Sequence, residues 1–388
     1  MKFLSRSHII LFLSGLFLGW LVWSIYPQEE LQNENGDWNI TQLRSVYQTT
    51  PSHWPPMQVD SGVQAIPLGP LPSMNYPTDN PYSPEKEDLG KKLFFDPILS
   101  TSRQIACATC HDSELGWADG RSVSVGHRRV MGRRNAPTIL NVGYLDHFFW
   151  DGRSHSLEEQ ALFPIQDPME MDSSIDTILH RLRKDSAYIT AFAEAFETDT
   201  ISEIQLAQAL ATFQRSIVSR KSRLDLFMEG DYDQLDDHEI LGLHLFRTKA
   251  KCMNCHHGPL MTDQEFHNDG FAQVGRRLED LGKFMVTRDT ADIGLFKTPG
   301  LRDVAFTPPY MHNGTMPDLL GVIEMYNQGM PQPIPKSLLT KYTGKFPDES
   351  PLLHKLHLTQ QEKKALVAFM HAISTRPVPM RMAMDLKQ

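Results

Sequence analysis

The N-terminal end of the chain is a continuous run of hydrophobic residues bounded by charge. Residues 9–26 read IILFLSGLFLGWLVWSIY, and roughly 17 to 25 apolar residues are enough to cross a bilayer. Lys2 and Arg6 precede the run and acidic residues follow it, so the positive-inside rule predicts export of everything after it. No small-x-small cleavage signal follows. The pattern of residues 1–26 therefore favours an uncleaved membrane anchor over a removed signal peptide.

The next stretch, residues 27–82, loses the hydrophobic periodicity and is crowded with prolines. Proline fixes φ and has no backbone N–H, so a crowded series favours extended, semi-rigid backbone over packed helix. We therefore predict a Pro-rich tether between the membrane anchor and the folded body.

Hydrophobic residues at helical spacing dominate the chain after residue 82. Three capping signals predict helix starts: Ser83 before Pro84, Ser202 with Gln205, and Thr359 with Glu362. Leu206, Leu210 and Phe213 follow the second signal at helical spacing. No stretch of comparable length alternates as a strand would. The predicted fold class is mainly α, with long loops.

Composition sets the number of domains and excludes one class of partner. The 388 residues exceed the usual domain size of about 100 to 150 residues, which predicts more than one domain. The chain is 40% hydrophobic and 22% charged, so it can bury a sizeable core. Its 47 acidic and 38 basic residues give a net charge of −9. Such a chain repels phosphate backbones, so we expect no nucleic-acid partner.

All four cysteines belong to two C-x-x-C-H motifs. The motifs are Cys107, Cys110 and His111 in the first half, and Cys252, Cys255 and His256 in the second. This spacing lets two thiols form thioethers to one haem while the histidine ligates its iron. A disulfide pair or a redox dithiol does not require the histidine, and a four-thiolate zinc site leaves both histidines unexplained. We therefore predict two covalently bound haem c groups, which agrees with export.

The two halves of the chain repeat one another. Residues 137–152 (PTILNVGYLDHFFWDG) match residues 299–314 (PGLRDVAFTPPYMHNG) without a gap. Each half is therefore predicted to be one cytochrome c-like haem domain, the first spanning residues 83–222 and the second residues 223–388.

The repeat also places Tyr326 opposite Pro164. A phenol can ligate iron and a proline cannot. If this position lies over the distal haem face, a side chain closes the second iron, whereas the first iron can open. One haem would then store or relay an electron while the other does chemistry.

Several ordered motifs carry a resemblance to a known family. They are LGKKLFFDPILS, CATCHDSELGWADGR, RNAPTILN, FWDGRSHSLEEQA and PYMHNG. From about residue 80 to the C-terminus the chain resembles the bacterial di-haem cytochrome c peroxidases, a family that includes the MauG-like proteins. The resemblance implies a low-potential peroxidatic haem in the N-terminal domain and a high-potential donor haem in the C-terminal domain.

The resemblance also assigns roles on the distal side of the first haem. His127 resembles the distal histidine that leaves the iron on activation, Gln160 and Glu170 resemble the distal acid/base pair, and Trp150 resembles the aromatic bridge between the haems. Each has a plainer alternative: a solvated loop histidine for His127, a helix-face residue for Gln160, a helix-terminus carboxylate for Glu170, and a core residue for Trp150.

Two metal assignments follow from the same resemblance. Asn135, Thr307 and Pro309 resemble the ligands of a calcium ion between the domains, the last two through backbone carbonyls. The second haem is expected to have Tyr326 as its distal ligand, as in MauG-like proteins, whereas peroxidases of the family usually have methionine. Met325 and Met330 are the alternatives. Because tyrosine lowers a haem potential and thioether raises it, this choice bears on whether that haem is a high-potential donor.

The function implied is two-electron reduction of hydrogen peroxide on the periplasmic side of the bacterial inner membrane. Glu170 would transfer the proton and Gln160 would hold the peroxide. Electrons would come from a small c-type cytochrome, a cupredoxin or the membrane quinol pool. The alternatives are a MauG-like oxidase that acts on a partner protein and a non-enzymatic di-haem electron carrier. A homodimer is a possible assembly.

Overall fold

A computed structural model describes residues 31–33, 36–330 and 349–380. The described chain is mainly helical with long loops, as predicted. The helices are α1 (Ile40–Tyr47), α2 (Pro84–Phe95), α3 (Leu157–Gln166), α4 (Ile175–Leu182), α5 (Ser186–Phe196), α6 (Glu203–Ser216), α7 (Arg223–Met228), α8 (Asp237–Arg247), α9 (Phe284–Thr287), α10 (Leu319–Asn327) and α11 (Gln360–Ala372). Two short antiparallel strands, β1 (Phe266–Asn268) and β2 (Leu295–Lys297), form the sheet of the described region.

All three predicted helix starts are confirmed. Ser83 caps α2 by accepting from the Lys86 N–H, with Pro84 in the first turn. Capping boxes begin the other two helices, Ser202 with Gln205 at α6 and Thr359 with Glu362 at α11. These signals are local in sequence, which is why they could be read without the structure.

The predicted anchor, residues 9–26, lies outside the described residues. Within the part that is described, no helix is long and apolar enough to cross a membrane.

The stretch predicted to be a tether has more structure than extended backbone. Among the described residues, those up to Met57 form one compact unit and those from Gln58 onward form another. In the first unit, α1 buries Leu43 and Tyr47, and the Trp54 ring lies edge-on to Tyr47 at 5.2 Å between centroids.

The rest of that stretch is extended but bound to the body of the second unit. The Gln58 N–H donates to the Arg247 carbonyl at 2.8 Å, and the Ile66 carbonyl accepts from Gly258 N–H at 2.9 Å. The Pro72 carbonyl accepts from the Tyr144 hydroxyl. The prolines agree with the lack of helix and strand over residues 58–82, and these distant partners hold that backbone in place.

The same helix crossing is built twice. In the first half α2 lies across α6, and in the second half α8 lies across α11. A Cβ atom on Gly90 would come 2.0 Å from the Ala209 carbonyl oxygen, and one on Gly242 would come 2.1 Å from that of Ala365. Each crossing therefore needs glycine because any side chain would collide with the backbone of the partner helix.

Substitution of Gly90 by alanine should therefore destabilise the first half. We expect Gly90→Ala to lower the free energy of unfolding by about 1 to 3 kcal/mol, as overpacking does. Gly69→Ala is the matched control, since no atom lies within 4 Å of its added Cβ. Denaturant unfolding of the holoprotein measures both, and equal midpoints would contradict the crossing as described.

Candidate functional site

The first C-x-x-C-H motif forms a tight turn that presents its histidine. Cys107–Thr109 is a 3-10 turn, and the His111 N–H donates to the Cys107 carbonyl at 3.0 Å. The ring Nδ1 of His111 lies 3.1 Å from the Trp117 carbonyl. Because Nδ1 has this backbone partner, the ring is oriented and Nε2 is left for a metal.

The second motif repeats this arrangement. Cys252–Asn254 is again a 3-10 turn, and the His256 N–H donates to the Cys252 carbonyl at 2.8 Å. The Nδ1 atom of His256 lies 3.1 Å from the Met261 carbonyl. Both carbonyl-bearing residues, Trp117 and Met261, have positive φ, so the two loops bend back on their histidines in the same way.

The chemistry of the cysteines fits haem attachment better than the alternatives. All four lie in the described residues and none is in a disulfide. Their sulfurs do not converge into a four-thiolate zinc site in that part of the chain. Burial raises the pKa of Cys107 to about 12, with smaller contributions from Cys110 and Glu170. Two free thiols in one tight turn, next to an oriented histidine, have the spacing that attachment to one haem requires.

Buried polar atoms without partners give a second test of fit. Among the described residues they are His127 Nδ1, Ser173 Oγ, His257 Nδ1, both ring nitrogens of His312, and Asn313 Nδ2. Such atoms are rare in folded chains unless a ligand or water satisfies them. Two of these residues are beside the C-x-x-C-H motifs: His127 is bonded to Glu170, which lies near the first motif, and His257 directly follows the second. A haem group at each motif would supply polar partners there, so these residues fit the cofactor.

The structure brings His127 and Glu170 together. The His127 N–H donates to the Glu170 carbonyl at 2.7 Å, and a Cβ on Gly126 would come 1.9 Å from the Met169 carbonyl oxygen. His127 is buried, which does not suit a solvated loop histidine. Its Nε2 lies 3.3 Å from Asp172, a partner that no motif indicated.

The Glu170 carboxyl lies close to the first motif. Burial raises its pKa, Asp167 raises it further, and Arg153 acts in the opposite direction. Its charge also contributes to the raised pKa of Cys110, for which burial is the largest cause. A carboxyl with a raised pKa can exchange a proton near neutral pH more readily than an exposed glutamate.

Gln160 and Glu170 come from one continuous segment. Gln160 is half-buried on α3, and Glu170 lies in the turn that follows this helix. Pro164 stands inside α3, where its missing N–H leaves the Gln160 carbonyl without its helical donor. The side chain of Gln160 has no hydrogen bond to the other described residues, so it is available to a ligand.

Trp150 lies where the two halves of the repeat meet. Its Nε1 donates to the Asn135 carbonyl at 3.0 Å. Two backbone bonds connect the halves reciprocally: Asn135 N–H to the His312 carbonyl at 2.8 Å, and Lys297 N–H to the Trp150 carbonyl at 2.9 Å. In the repeat, Asn135 corresponds to Lys297 and Trp150 to His312.

Sequence reasoning missed two residues at this contact. The His312 ring lies edge-on to Trp150 at 6.4 Å and stacks on Phe296 at 3.8 Å. Burial lowers the pKa of His312 to about 4, so its ring is neutral. Arg134 bridges the halves through Asp151 and Asp280, each at 2.6 Å. The repeat could have identified His312, because it is aligned with Trp150.

The three residues predicted to hold calcium belong to the same region. Asn135 is buried and its side-chain N–H donates to the Arg121 carbonyl at 2.8 Å, which leaves the amide oxygen free to act as a ligand. Thr307 and Pro309 lie on either side of Pro308, and the peptide bond between Pro308 and Pro309 is cis. Neither carbonyl accepts a hydrogen bond from the described residues.

Tyr326 has the same position in α10 that Pro164, its equivalent in the repeat, has in α3. Leu157 begins α3 and Leu319 begins α10, and Pro164 and Tyr326 lie at the same distance along the two helices. Burial raises the pKa of the Tyr326 phenol, with further contributions from Asp269 and from the second-motif cysteines. The half-buried Tyr326 side chain therefore lies close to the cysteines of the second C-x-x-C-H motif.

Of the two methionines near Tyr326, Met330 is buried and Met325 is half-buried. Met325 lies within α10, whereas Met330 follows the helix in a left-handed conformation. The Met330 N–H donates to the Met325 carbonyl at 3.0 Å. Both remain alternatives to Tyr326.

A charged pair lies beside the second motif. The His267 Nε2 and Asp263 carboxylate are 2.8 Å apart, and they form a compact group with the Cys255 sulfur. Burial lowers the pKa of His267, but the bond to Asp263 and the neighbouring Cys255 sulfur outweigh burial and raise it. Because Cys255 belongs to the haem motif, this group fits a second-haem contact better than a separate metal.

Comparisons with known proteins agree with this geometry. A family model described as di-haem cytochrome c peroxidase matches residues 84–233. Cytochrome-c peroxidase IdrP1 of Pseudomonas sp. (strain SCT) is 35% identical over 337 residues, covering 79% of this chain and 86% of that protein. Methylamine utilization protein MauG of Methylorubrum extorquens is 38% identical over 306 residues, covering 79% and 82%.

The fold also matches a solved structure. A MauG-like protein associated with microbial copper homeostasis superimposes with a TM-score of 0.70 and 33% identity. The match covers 78% of this chain and 93% of that one.

Proposed function

The chain belongs to the di-haem cytochrome c peroxidase family, and on that premise we propose that it reduces hydrogen peroxide to water. The reaction takes two electrons and two protons per peroxide and gives two molecules of water. The observation that carries the proposal is Glu170, a carboxyl of raised pKa beside the first C-x-x-C-H motif. A carrier of electrons alone has no use for a proton-transfer group there.

The chain supplies proton transfer and orientation. His111 and His256 would hold the two irons, with Cys107, Cys110, Cys252 and Cys255 as the covalent attachments. When bound, the first haem supplies the iron that takes up peroxide and the electrons that break its O–O bond. Glu170 accepts a proton from the inner oxygen and delivers it to the outer one, which leaves as water. Gln160 orients the peroxide by hydrogen bonds, and His127 must withdraw to admit it.

Electrons would cross between the halves at Trp150. Its hydrogen bond to the Asn135 carbonyl fixes the indole at the contact of the two halves. Donors of the expected class are a small c-type cytochrome, a cupredoxin or the quinol pool. Haem c attachment outside the cytoplasm supports a location on the periplasmic side.

A calcium ion at the contact of the halves is part of the proposal. The amide oxygen of Asn135 and the carbonyls of Thr307 and Pro309 are hard oxygen ligands of the kind calcium prefers. Asn135 also bonds to both Trp150 and His312, so an ion held there would stabilise the contact that electrons cross.

A second candidate function is oxidation of a partner protein, as a MauG-like enzyme. The position of Tyr326 close to the second-motif cysteines favours it, because tyrosine rather than methionine would ligate that iron. A low-potential second haem would accept and hold electrons from a cytochrome or cupredoxin poorly, because its oxidised state is stabilised. The same stabilisation of oxidised iron would suit withdrawal of electrons from a protein substrate.

Steady-state assays of the holoprotein distinguish these functions. We expect two haem c groups per chain by pyridine haemochrome and peroxide-dependent oxidation of a reduced small c-type cytochrome or cupredoxin. After one-electron reduction, the first haem should become high-spin and react with peroxide. A protein that stays six-coordinate and inert to peroxide would be an electron carrier, and the proposal would be wrong. Metal analysis of the same preparation counts calcium.

A further inference from the structure

Two histidines outside the haem machinery face each other across a turn. Phe148 and Ser154 form an antiparallel bridge, with the Phe148 N–H donating to the Ser154 carbonyl at 2.9 Å. His147 and His155 are the next pair outward. Their Nδ1 atoms lie 3.1 Å apart, and the rings are at 73° to one another.

This separation fits two ligands of one metal ion. Imidazole nitrogens bind zinc or copper at about 2.0 to 2.1 Å. At bond angles between square-planar and tetrahedral, two such nitrogens are roughly 2.9 to 3.4 Å apart. A direct N–H···N hydrogen bond between the rings is the competing explanation, and it would use the same two atoms.

Neighbouring contacts hold the backbone of His155 and the ring of His147 in place. The His155 N–H donates to the Glu159 carboxylate at 2.9 Å, and the same carboxylate accepts from the Ser154 hydroxyl at 2.9 Å. The His147 ring lies edge-on to Phe266 at 5.6 Å. A site whose ligands are fixed beforehand loses less entropy when it binds an ion.

The surrounding charge favours a cation. The groove beside His155 is lined by Asp79 and Asp146, together with Glu158, which is paired with Arg215 at 2.6 Å. The Lys283 ammonium lies over the Phe266 ring at 4.8 Å, the ring that contacts His147, and it is paired with Asp292. His155 is exposed and His147 is half-buried, so an ion can reach them.

We propose that His147 and His155 form a binding site for a divalent late transition-metal ion of the Zn²⁺ and Cu²⁺ class. No third histidine, cysteine or carboxylate among the described residues converges on the pair, so water completes the coordination. Two imidazoles select these ions over Ca²⁺ and Mg²⁺, which prefer oxygen. The site is independent of the peroxidase proposal and of the calcium ion at Asn135.

Metal titration of the holoprotein with both haems attached tests the site. The probes are Zn²⁺ in equilibrium dialysis and Cu²⁺ followed by electron paramagnetic resonance, each in excess Ca²⁺ and Mg²⁺. We expect one tight equivalent, with nitrogen couplings on the copper signal. His147→Gln and His155→Gln should each weaken it by more than about 100-fold, beyond the usual loss from second-shell changes. His180→Gln, at an exposed histidine on α4, is the matched control and should change nothing.

Three results would overturn the proposal. Equal binding by wild type and both variants would mean an adventitious ion only. Displacement by Ca²⁺ would mean an oxygen site elsewhere. If the wild type binds no Zn²⁺ or Cu²⁺ tightly, the two rings form only a hydrogen bond to each other and no metal site. None of these results depends on whether the protein reduces peroxide.

Discussion

Replacing Glu170 with glutamine should lower peroxide turnover by about 100-fold or more while leaving both haems attached. Glutamine keeps the shape of the side chain but cannot accept the proton of the inner peroxide oxygen, and acid/base catalysis of this kind is typically worth about 10² to 10⁴. The measurement is kcat with a reduced electron donor in excess. Haem content by pyridine haemochrome shows whether the variant is intact.

The pH dependence of turnover gives a second readout. Glu170 must be ionised to accept the proton, and burial raises its pKa, so wild-type activity should fall with acid at a higher pH than an exposed glutamate would give. The acid limb should be absent in Glu170→Gln. Glu194→Gln, at an exposed position of α5, should match the wild type in rate and profile. Unchanged turnover in Glu170→Gln would return this carboxyl to a structural role at the end of α3.

Replacing Tyr326 with phenylalanine should remove the distal ligand of the second haem. We expect an altered ferric spectrum, binding of added ligands at that iron, and a rise in potential on the order of 100 mV, within the roughly 0.8 V range that axial ligands span. A phenolate ligand stabilises ferric iron relative to ferrous iron, so its loss should raise the reduction potential of the second haem. Spectroelectrochemical titration of wild type and variant measures the shift.

Two methionine variants serve as controls for this assignment. Met325→Leu and Met330→Leu keep the apolar volume and remove the thioether, and both should leave the second haem unchanged. If instead Tyr326→Phe has no effect and Met330→Leu shifts the spectrum, methionine is the ligand. The second haem would then be a high-potential haem that passes electrons to the first, as in a peroxidase. The second candidate function, oxidation of a partner protein, would lose its support.

Local signals in the sequence predicted the parts of the fold that local physics determines. The capping residue of α6 and its reciprocal glutamine are three positions apart, so Ser202 and Gln205 could be read directly. The C-x-x-C-H motifs are equally local, because their function needs only the spacing within one turn.

Contacts between distant segments could not be predicted in this way. Nothing near His127 in sequence points to Asp172 as its partner. The bridge from Arg134 to Asp280 depends on how the loops of the two halves come together. Proline content predicts a tether over residues 27–82 because it reports backbone conformation. It carries no information about which surface the backbone lies on, so the bonds that residues 58–72 make to the body could not be predicted.

The reciprocal bonds between Asn135 and His312 and between Lys297 and Trp150 have the form of an isologous contact, in which each partner offers the other the same surface. In a symmetric homodimer any substitution at such a contact changes both sides at once. Once two copies share one polypeptide, each side can diverge separately. Trp150 is equivalent to His312 in the repeat, and Asn135 is equivalent to Lys297. A symmetric homodimer would have the same residue at both equivalent positions. A repeat held within one polypeptide therefore permits a division of labour between its two halves.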